Sequence, residues 1–173
     1  GEEAAPEKLL NALQSRTIDV AVAPAGMEES GILARSVWSD RLMVALQSGH
    51  RLLDSDRIYW SDLRREVFVV PGGGIGPTLA NLLAARLTGQ GGRPNIIVQN
   101  TSLESVLSIV SVGRFISIAT EASQGVAWPD IEFGEFFDPS IPARLEYALY
   151  WREDNENPAL RRFFKLIEER NPG

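Results

Sequence analysis

Short apolar runs that alternate with helical patterns constrain the fold of this chain more than any other feature of its sequence. The runs lie at residues 18–23, 67–70, 96–98 and 115–119, and turn-forming or polar residues follow them. The runs at 18–23 and 67–70 are typical of strands buried on both faces, as in parallel sheets, and the runs at 96–98 and 115–119 predict further strands. Because helical patterns separate the runs, the sequence predicts an α/β fold with parallel or mixed sheets.

Four segments carry apolar residues at the three- and four-residue spacing of helices. The first begins at Pro6 and the second at Pro77, since proline suits the first turn of a helix. The third follows residues 101–104, whose threonine and glutamate have the spacing of a capping box, so Thr101 is the predicted N-cap. The last opens at residues 157–158 and carries phenylalanine and leucine on one face.

Two further strands are predicted where apolar and polar residues alternate, at residues 36–46 and 145–151. Residues 128–142 are rich in turn formers, and we expect only a short strand near Ile131 within them. Residues 61–63 predict a short capped helical turn. Strands and helices thus alternate along the predicted chain, and the sequence contains no internal repeat.

Composition excludes several classes of function. The chain has 173 residues, a formal net charge of −6 and no cysteine. The lack of cysteine removes disulfides, thiolate catalysis and cysteine metal sites, and the acidic balance disfavours contact with a phosphate backbone. No apolar run approaches the roughly 18 residues of a membrane span, and the acidic first ten residues do not have the form of a signal peptide. We therefore expect no membrane association and a cytoplasmic protein.

The titratable residues form no recognisable catalytic constellation. His50 is the single histidine and lies in a predicted loop without a second ligand at metal-binding spacing. Asp19 opens a strand, where an acid more often caps a helix or bonds the local backbone than catalyses. Glu132, Glu135 and Asp138 form a predicted acidic loop that matches no calcium site. We expect no catalytic residue, no metal and no cofactor, and predict that the chain is not an enzyme.

A glycine-rich loop, residues 71–77, lies between a predicted strand and a predicted helix. Phosphate-binding loops occupy such positions, but no Gly-Lys-Ser/Thr follows, and Pro77 stands where a dinucleotide fingerprint needs its third glycine. Glycines let backbone N–H groups approach a ligand closely, and a helix start favours an anion. The residues alone leave two interpretations open, a ligand contact and a tight turn without a ligand.

Four stretches resemble the effector-binding domain of LysR-type transcriptional regulators. They are the helix–strand pair over residues 9–22, the strand and turn over 40–50, the helix–strand unit over 105–119, and the final strand and helix from residue 145. The sequence departs from the family pattern at Arg51, where proline is usual, at Arg114-Phe115, where a second glycine is usual, and at Ala119-Thr120, where proline is usual. The order and spacing of the stretches hold along nearly the whole chain.

The resemblance implies a two-lobe, type 2 periplasmic-binding-protein-like α/β fold with mixed sheets. Lobe I would comprise residues 1–50 and 153–173, and lobe II residues 51–152, with crossovers near 46–51 and 150–154. The family's helix-turn-helix and the first strand–helix–strand of its effector domain have no counterpart in this sequence, which implies an incomplete first lobe.

The resemblance also implies where an effector binds. In the family, effectors sit between the lobes, against backbone and hydroxyl groups at strand ends and helix starts. The matching positions are Pro24, Ala25, Gly72, Gly73, Gly74, Ile75, Thr78, Thr101 and Ser102. Thr101 would then be both a helix cap and a hydrogen-bond donor to the ligand. Arg35, Arg41 and Arg114 are further candidates to pair with a ligand carboxylate, although the resemblance does not assign them positions in the site.

The expected function is therefore that of a ligand-sensing regulatory domain. It would bind a small anionic metabolite and so modulate DNA binding by the intact regulator, which would contact DNA only through the helix-turn-helix and form a homo-oligomer. The alternative is a solute-binding receptor of a transport system with the same fold. The effector itself cannot be deduced from these residues.

Overall fold

The computed structural model describes residues 5–89, 91, 93–138 and 143–170, and the chain divides into two compact units. The larger unit comprises Gly1–Ala5 and Asp40–Leu145, and the smaller unit Pro6–Ser39 and Glu146–Gly173. The chain passes between the units at residues 39–40 and 145–146; the two lobes, with crossovers near 46–51 and 150–154, remain a prediction.

Twelve main elements follow one another along the described residues. The helices are α1 (Pro6–Gln14), α2 (Gly76–Thr88), α3 (Leu103–Val110) and α4 (Pro158–Arg170). The strands are β1 (Val20–Pro24), β2 (Ile32–Gln47), β3 (Ile58–Tyr59), β4 (Val67–Pro71), β5 (Asn95–Gln99), β6 (Ser117–Thr120), β7 (Ile131–Phe137) and β8 (Arg144–Arg152). None of the described helices is long and apolar enough to cross a membrane.

A mixed sheet with helices packed against it forms the larger unit. β5 pairs with β4 in parallel, and β4 meets the chain just before β6 in a parallel bridge between Phe68 and Ile116. β6 and β7 each pair with β2 in antiparallel fashion, and β3 pairs with β7 in parallel. The α/β class with mixed sheets is thus confirmed. The parallel strands β4, β5 and β6 end at one edge, which carries the glycine loop.

The smaller unit is built on the antiparallel pair of β1 and β8. α1 covers one side of it through Leu10 and Leu13, which pack against alanines of both strands and Tyr150. α4 contributes Leu160, with Phe164 and Ile167, to a second cluster around Leu149. These contacts bury the apolar faces that the helical spacing predicted, although Phe163, which shares the predicted face of α4, stays exposed.

Three local predictions are wrong, each for a physical reason. β1 is not buried on both faces, because α1 packs over the face that carries Ala21 and Ala23, while Val20 and Val22 on the other face are exposed. Ser102, not Thr101, is the N-cap of α3: its Oγ accepts from the Ser105 amide at 3.2 Å. The turn-rich stretch contains the seven-residue strand β7, so Glu132 and Glu135 lie on a strand rather than in an acidic loop.

Arg152 ties the end of β8 to the connection between α1 and β1. Its Nη1 donates to the carbonyls of Leu13 at 2.8 Å and Ile18 at 2.9 Å, and its Nη2 donates to Asp19 Oδ1 at 3.1 Å. The side chain is only 11% exposed. The guanidinium is a donor to the Ile18 carbonyl and a second donor to the Leu13 carbonyl, which also accepts from the Arg16 amide at 3.1 Å. Removing a donor from a backbone carbonyl is unfavourable where no other group replaces it.

We predict that Arg152→Met lowers the free energy of unfolding by about 2 kcal/mol, because the Ile18 carbonyl loses its donor, the Leu13 carbonyl loses one of two, and the ion pair with Asp19 is removed. Urea unfolding measures the change. The matched control is Arg162→Met, since Arg162 is exposed on α4 and its replacement should shift stability by no more than about 0.5 kcal/mol. Equal stability of the two variants would contradict the role given to Arg152.

Candidate functional site

The glycine loop lies at the carboxyl ends of parallel strands in the larger unit. The Gly72 amide donates to the Gln99 carbonyl at 2.7 Å, and the Thr101 amide donates to the same carbonyl at 2.7 Å. One oxygen at the end of β5 therefore holds together the loop after β4 and the loop after β5. This arrangement brings two segments of predicted effector residues, 72–75 and 101–102, to the sheet edge at which β4 and β5 end.

The glycines of the loop are not equivalent. A Cβ at Gly76 would lie 1.7 Å from the Pro71 carbonyl oxygen, so only glycine fits where α2 turns back over β4. Gly74 has φ +55°, in the left-handed region that favours glycine. A Cβ at Gly73 would meet nothing within 4 Å, so the space over Gly73 is open. The loop is thus a tight turn at Gly74 and Gly76 with open space over Gly73, and a ligand contact at Gly73 stays a prediction.

Helix starts converge on this edge. The Leu79 amide donates to Ile75 as the first turn of α2 closes, and the Val106 amide donates to Ser102 as α3 begins. Pro77 has no amide hydrogen, and the Gly76 and Ser105 amides donate to the Gly73 carbonyl and to Ser102 Oγ. The leading amides left without an acceptor among the described residues are those of Thr78, Leu103 and Glu104. The dipole of each helix adds partial positive charge there. Thr78 lies in the first turn of α2 and is half-buried, as is Thr101. The edge therefore presents donors without a formal positive charge.

Pro24 and Ala25, also predicted effector residues, belong to the smaller unit. The Pro24 carbonyl accepts from the Tyr150 hydroxyl at 2.6 Å, and the Ala25 amide donates to Glu146 at 2.8 Å. The same hydroxyl accepts from the Met27 amide at 3.3 Å. Tyr150 is fully buried, and burial raises the pKa of its phenol above the ordinary value, an effect that the Met27 hydrogen bond partly offsets.

Tyr150 is a supporting residue that the sequence did not reveal. The alternation of apolar residues in β8 predicted its neighbours Tyr147, Leu149 and Trp151 on one face, which leaves Tyr150 on the other. Only the three-dimensional structure shows that its hydroxyl reaches the end of β1 and fixes the turn there. No local signal in the sequence marks a hydrogen bond between residues so far apart along the chain.

Other candidate residues have structural partners. His50 Nδ1 accepts from the Leu52 amide at 3.1 Å and caps a short 3-10 helix over Arg51–Asp54. Asp19 pairs with Arg152, and Asp138 with Arg86 at 3.2 Å. Among the described residues, no group of three or more histidines, cysteines or carboxylates is arranged to hold a metal ion.

Two of the three candidate arginines are engaged with acids. Arg35 pairs with Glu168 and lies over the Phe164 ring, 5.0 Å from its centroid. Arg41 Nη1 lies 2.7 Å from Glu135 Oε1. Arg114 is exposed at the start of the segment that leads into β6. Engagement with an acid makes Arg35 and Arg41 poor partners for a ligand carboxylate.

Two surface depressions lie in the smaller unit, away from the glycine loop. One, of about 460 Å³, is bordered by Arg152, Asp154 and Gly31. The other, of about 610 Å³, is bordered by Trp151, Phe164 and the residues that open α4. Arg152 and Asp154 pair with each other and with neighbours, and neither lining includes a residue of the predicted effector site.

Solved structures with the same fold define the class of the protein. The effector-binding domain of a BenM variant matches with a TM-score of 0.84 at 20% identity, covering 96% of this chain and 77% of that one. Full-length CbnR complexed with its target DNA matches with a TM-score of 0.80 at 20% identity, covering 96% of this chain and 57% of that one. The fold is that of a two-lobe, type 2 periplasmic-binding-protein-like domain.

The family follows from the sequence match. The model of the LysR substrate binding domain matches residues 2–172, and the chain belongs to this family. Curated relatives include the HTH-type transcriptional regulators ClcR of Pseudomonas putida and AlsR of Bacillus subtilis (strain 168), which are 22% and 23% identical over 158 and 149 residues. Those alignments cover 91% and 86% of this chain and 53% and 49% of the relatives. The chain spans about half the length of the curated relatives it matches.

We predict that Tyr150→Phe destabilises the protein by about 1–2 kcal/mol at pH 7, because the Pro24 carbonyl and the Met27 amide lose their partner. Since the folded-state pKa of Tyr150 is raised, its contribution is present below its ordinary pKa of 10.0 and is lost as pH rises through and above that value. Thermal unfolding from pH 7 to 11 should therefore show a shallower alkaline loss in Tyr150→Phe than in the unsubstituted protein.

Tyr59→Phe is the control, because the Tyr59 side chain lies in the larger unit and is 40% exposed. It should retain the alkaline loss of the unsubstituted protein. An equal alkaline loss in Tyr150→Phe would show that the buried phenol is not its source.

Proposed function

We propose that this chain senses a small anionic metabolite as the effector-binding domain of a LysR-type transcription regulator. The observation that carries the proposal is the double hydrogen bond to the Gln99 carbonyl, since it brings an open glycine turn and a hydroxyl-bearing helix start to one edge. The family and the regulatory relatives support it.

An anion suits this edge for electrostatic reasons. Two helices begin there, and their leading amides supply partial positive charge within the first turn. Gly73 leaves room for an approaching oxygen, and Thr78, Thr101 and Ser102 add hydroxyl groups. A small carboxylate would accept hydrogen bonds from these donors, and charge-assisted bonds of this kind are stronger than neutral ones.

We propose that Pro24 and Ala25 of the smaller unit, which the Tyr150 hydroxyl and the Glu146 carbonyl hold in a fixed turn, are further effector-binding residues. A ligand shifts a conformational equilibrium by its difference in affinity for the two states. That shift would change how the intact regulator engages DNA.

The regulator is favoured over a transport receptor, because the curated relatives are HTH-type transcriptional regulators. Those relatives are not enzymes, which agrees with the expected absence of catalysis. We propose that DNA contact and assembly of a homo-oligomer belong to the intact regulator, acting in the cytoplasm.

One solved relative is the BenM effector-binding domain with its effector benzoate, which matches with a TM-score of 0.82 at 20% identity, covering 96% of this chain and 75% of that one. Carboxylates are therefore the first probes to use.

We predict that Gly73→Val abolishes ligand-dependent stabilisation while the fold stays intact, because a branched side chain fills the open centre of the turn. The measurement is a thermal shift of the chain with a panel of small carboxylates that includes benzoate. A ligand at about 100 times its Kd stabilises a protein by about 2.7 kcal/mol, which such a scan detects readily.

Gly125→Val is the matched control, since a Cβ there also meets nothing within 4 Å, the residue is exposed, and it is not among the proposed effector residues. It should keep the full ligand-dependent shift. A shift that survives in Gly73→Val would remove the glycine loop from the site.

A further inference from the structure

The strand β5 forms an unprotected edge in the larger unit. Within the described part of the chain it pairs with β4 alone, and its Val98 is 54% exposed. Residues 94–100 carry no charged side chain, in a chain whose net charge is −6. Edge strands are usually protected by charged residues, a proline within the strand or a bulge, because their free backbone groups pair readily with other strands. The composition of β5 therefore indicates an edge that another strand covers.

The direction of the free backbone groups follows from one hydrogen bond. The Gln99 carbonyl points towards β4, because it accepts from the Gly72 amide at 2.7 Å. The amide and carbonyl of one residue point to the same side of a strand, and those of the next residue point to the opposite side. Ile97 therefore also points towards β4, whereas Ile96 and Val98 direct their amides and carbonyls to the free edge.

The helices leave this edge open. α3 packs against β4 and β6, which lie behind β5 as seen from the edge. α2 packs against β4 and β5 but leaves Val98 exposed. A second strand can therefore approach β5 in the plane of the sheet.

The residues of β5 are complementary to those of a second, antiparallel copy of β5. When the two Ile97 residues lie opposite each other, each Ile96 lies opposite a Val98, and each Asn95 lies opposite a Gln99. Ile96 and Val98 are the residues whose backbone groups face the free edge, so each such pair can exchange two hydrogen bonds, as in an antiparallel ladder. Opposed β-branched side chains stabilise a ladder, and this register opposes no like charges.

We infer that β5 is an interface between two copies of this chain. The strands pair antiparallel about Ile97 and extend the sheet from one copy into the other, and Ile96 of each copy covers Val98 of the second. The contact has two-fold symmetry, because both copies use the same surface. The interface is small, so we expect weak, reversible pairing. The inference goes beyond the proposed function, since it requires no effector and rests on the edge of β5 rather than on the glycine loop.

Sedimentation velocity of the unsubstituted chain, from about 10 µM to about 1 mM, should show a reversible monomer–dimer equilibrium. Val98→Lys should stay monomeric across that range, because it sets a cation against Ile96 of the second copy. Val126→Lys is the matched control, since Val126 is 55% exposed and the change of charge is the same. This variant should dimerise as the unsubstituted chain does.

Amide hydrogen exchange of the unsubstituted chain locates the contact without a substitution. The Ile96 and Val98 amides should exchange about fivefold more slowly at the highest concentration than at the lowest, because exchange proceeds through the dissociated chain. The Ile97 amide, which points towards β4, should not respond to concentration.

Three results would overturn the inference: a chain that stays monomeric throughout, a dimer that Val98→Lys and Val126→Lys weaken equally, or a dimer whose Ile96 and Val98 amides exchange at the rate of the monomer. None of these measurements involves an effector, so the inference and the proposed function can fail separately.

Discussion

The carbonyl of Gln99 at the end of β5 accepts amides from Gly72 and Thr101, and the candidate site depends on this arrangement. One lone pair fixes the loop after β4, and the other fixes the approach to α3. Because both bonds are short and lie at the end of a parallel pair, the two helix starts are held at a defined separation. Without this carbonyl, the donors after β4 and those after β5 would have no fixed relation to one another.

In the smaller unit, too, hydrogen bonds to backbone carbonyls fix the connections between elements. Arg152 supplies donors to two carbonyls between α1 and β1, and Tyr150 supplies one to the carbonyl that ends β1. In each case a buried side chain of β8 satisfies backbone groups of the neighbouring strand or its connection. Rigid turns of this kind suit a binding site, because a ligand that meets fixed donors loses less free energy to ordering them.

Much of the fold could be predicted from the sequence, because apolar periodicity reports burial directly. The runs at residues 67–70 and 96–98 lie within β4 and β5, and the leucines of α2 are buried at the predicted spacing. The failures concern features that depend on a partner distant in the chain. β1 has the apolar composition of a central strand, yet the burial of each of its faces depends on which elements pack over that face. Ser102 and Thr101 are chemically alike, and the dihedral angles at the helix start decide which one caps.

For the site, the sequence identified the glycine loop and the hydroxyls after β5, because turn residues and helix starts have local signatures. It could not identify Tyr150, whose role arises from hydrogen bonds that form only in the folded chain. The central claim is that an anion binds at the edge shared by the two loops. Amide NMR during titration with the most stabilising carboxylate tests it most directly. We expect the Gly73, Gly74 and Ser102 amides to shift together with one Kd, while the Gly125 amide stays unchanged. Saturable shifts confined to the depressions beside Arg152 and α4 would contradict the claim.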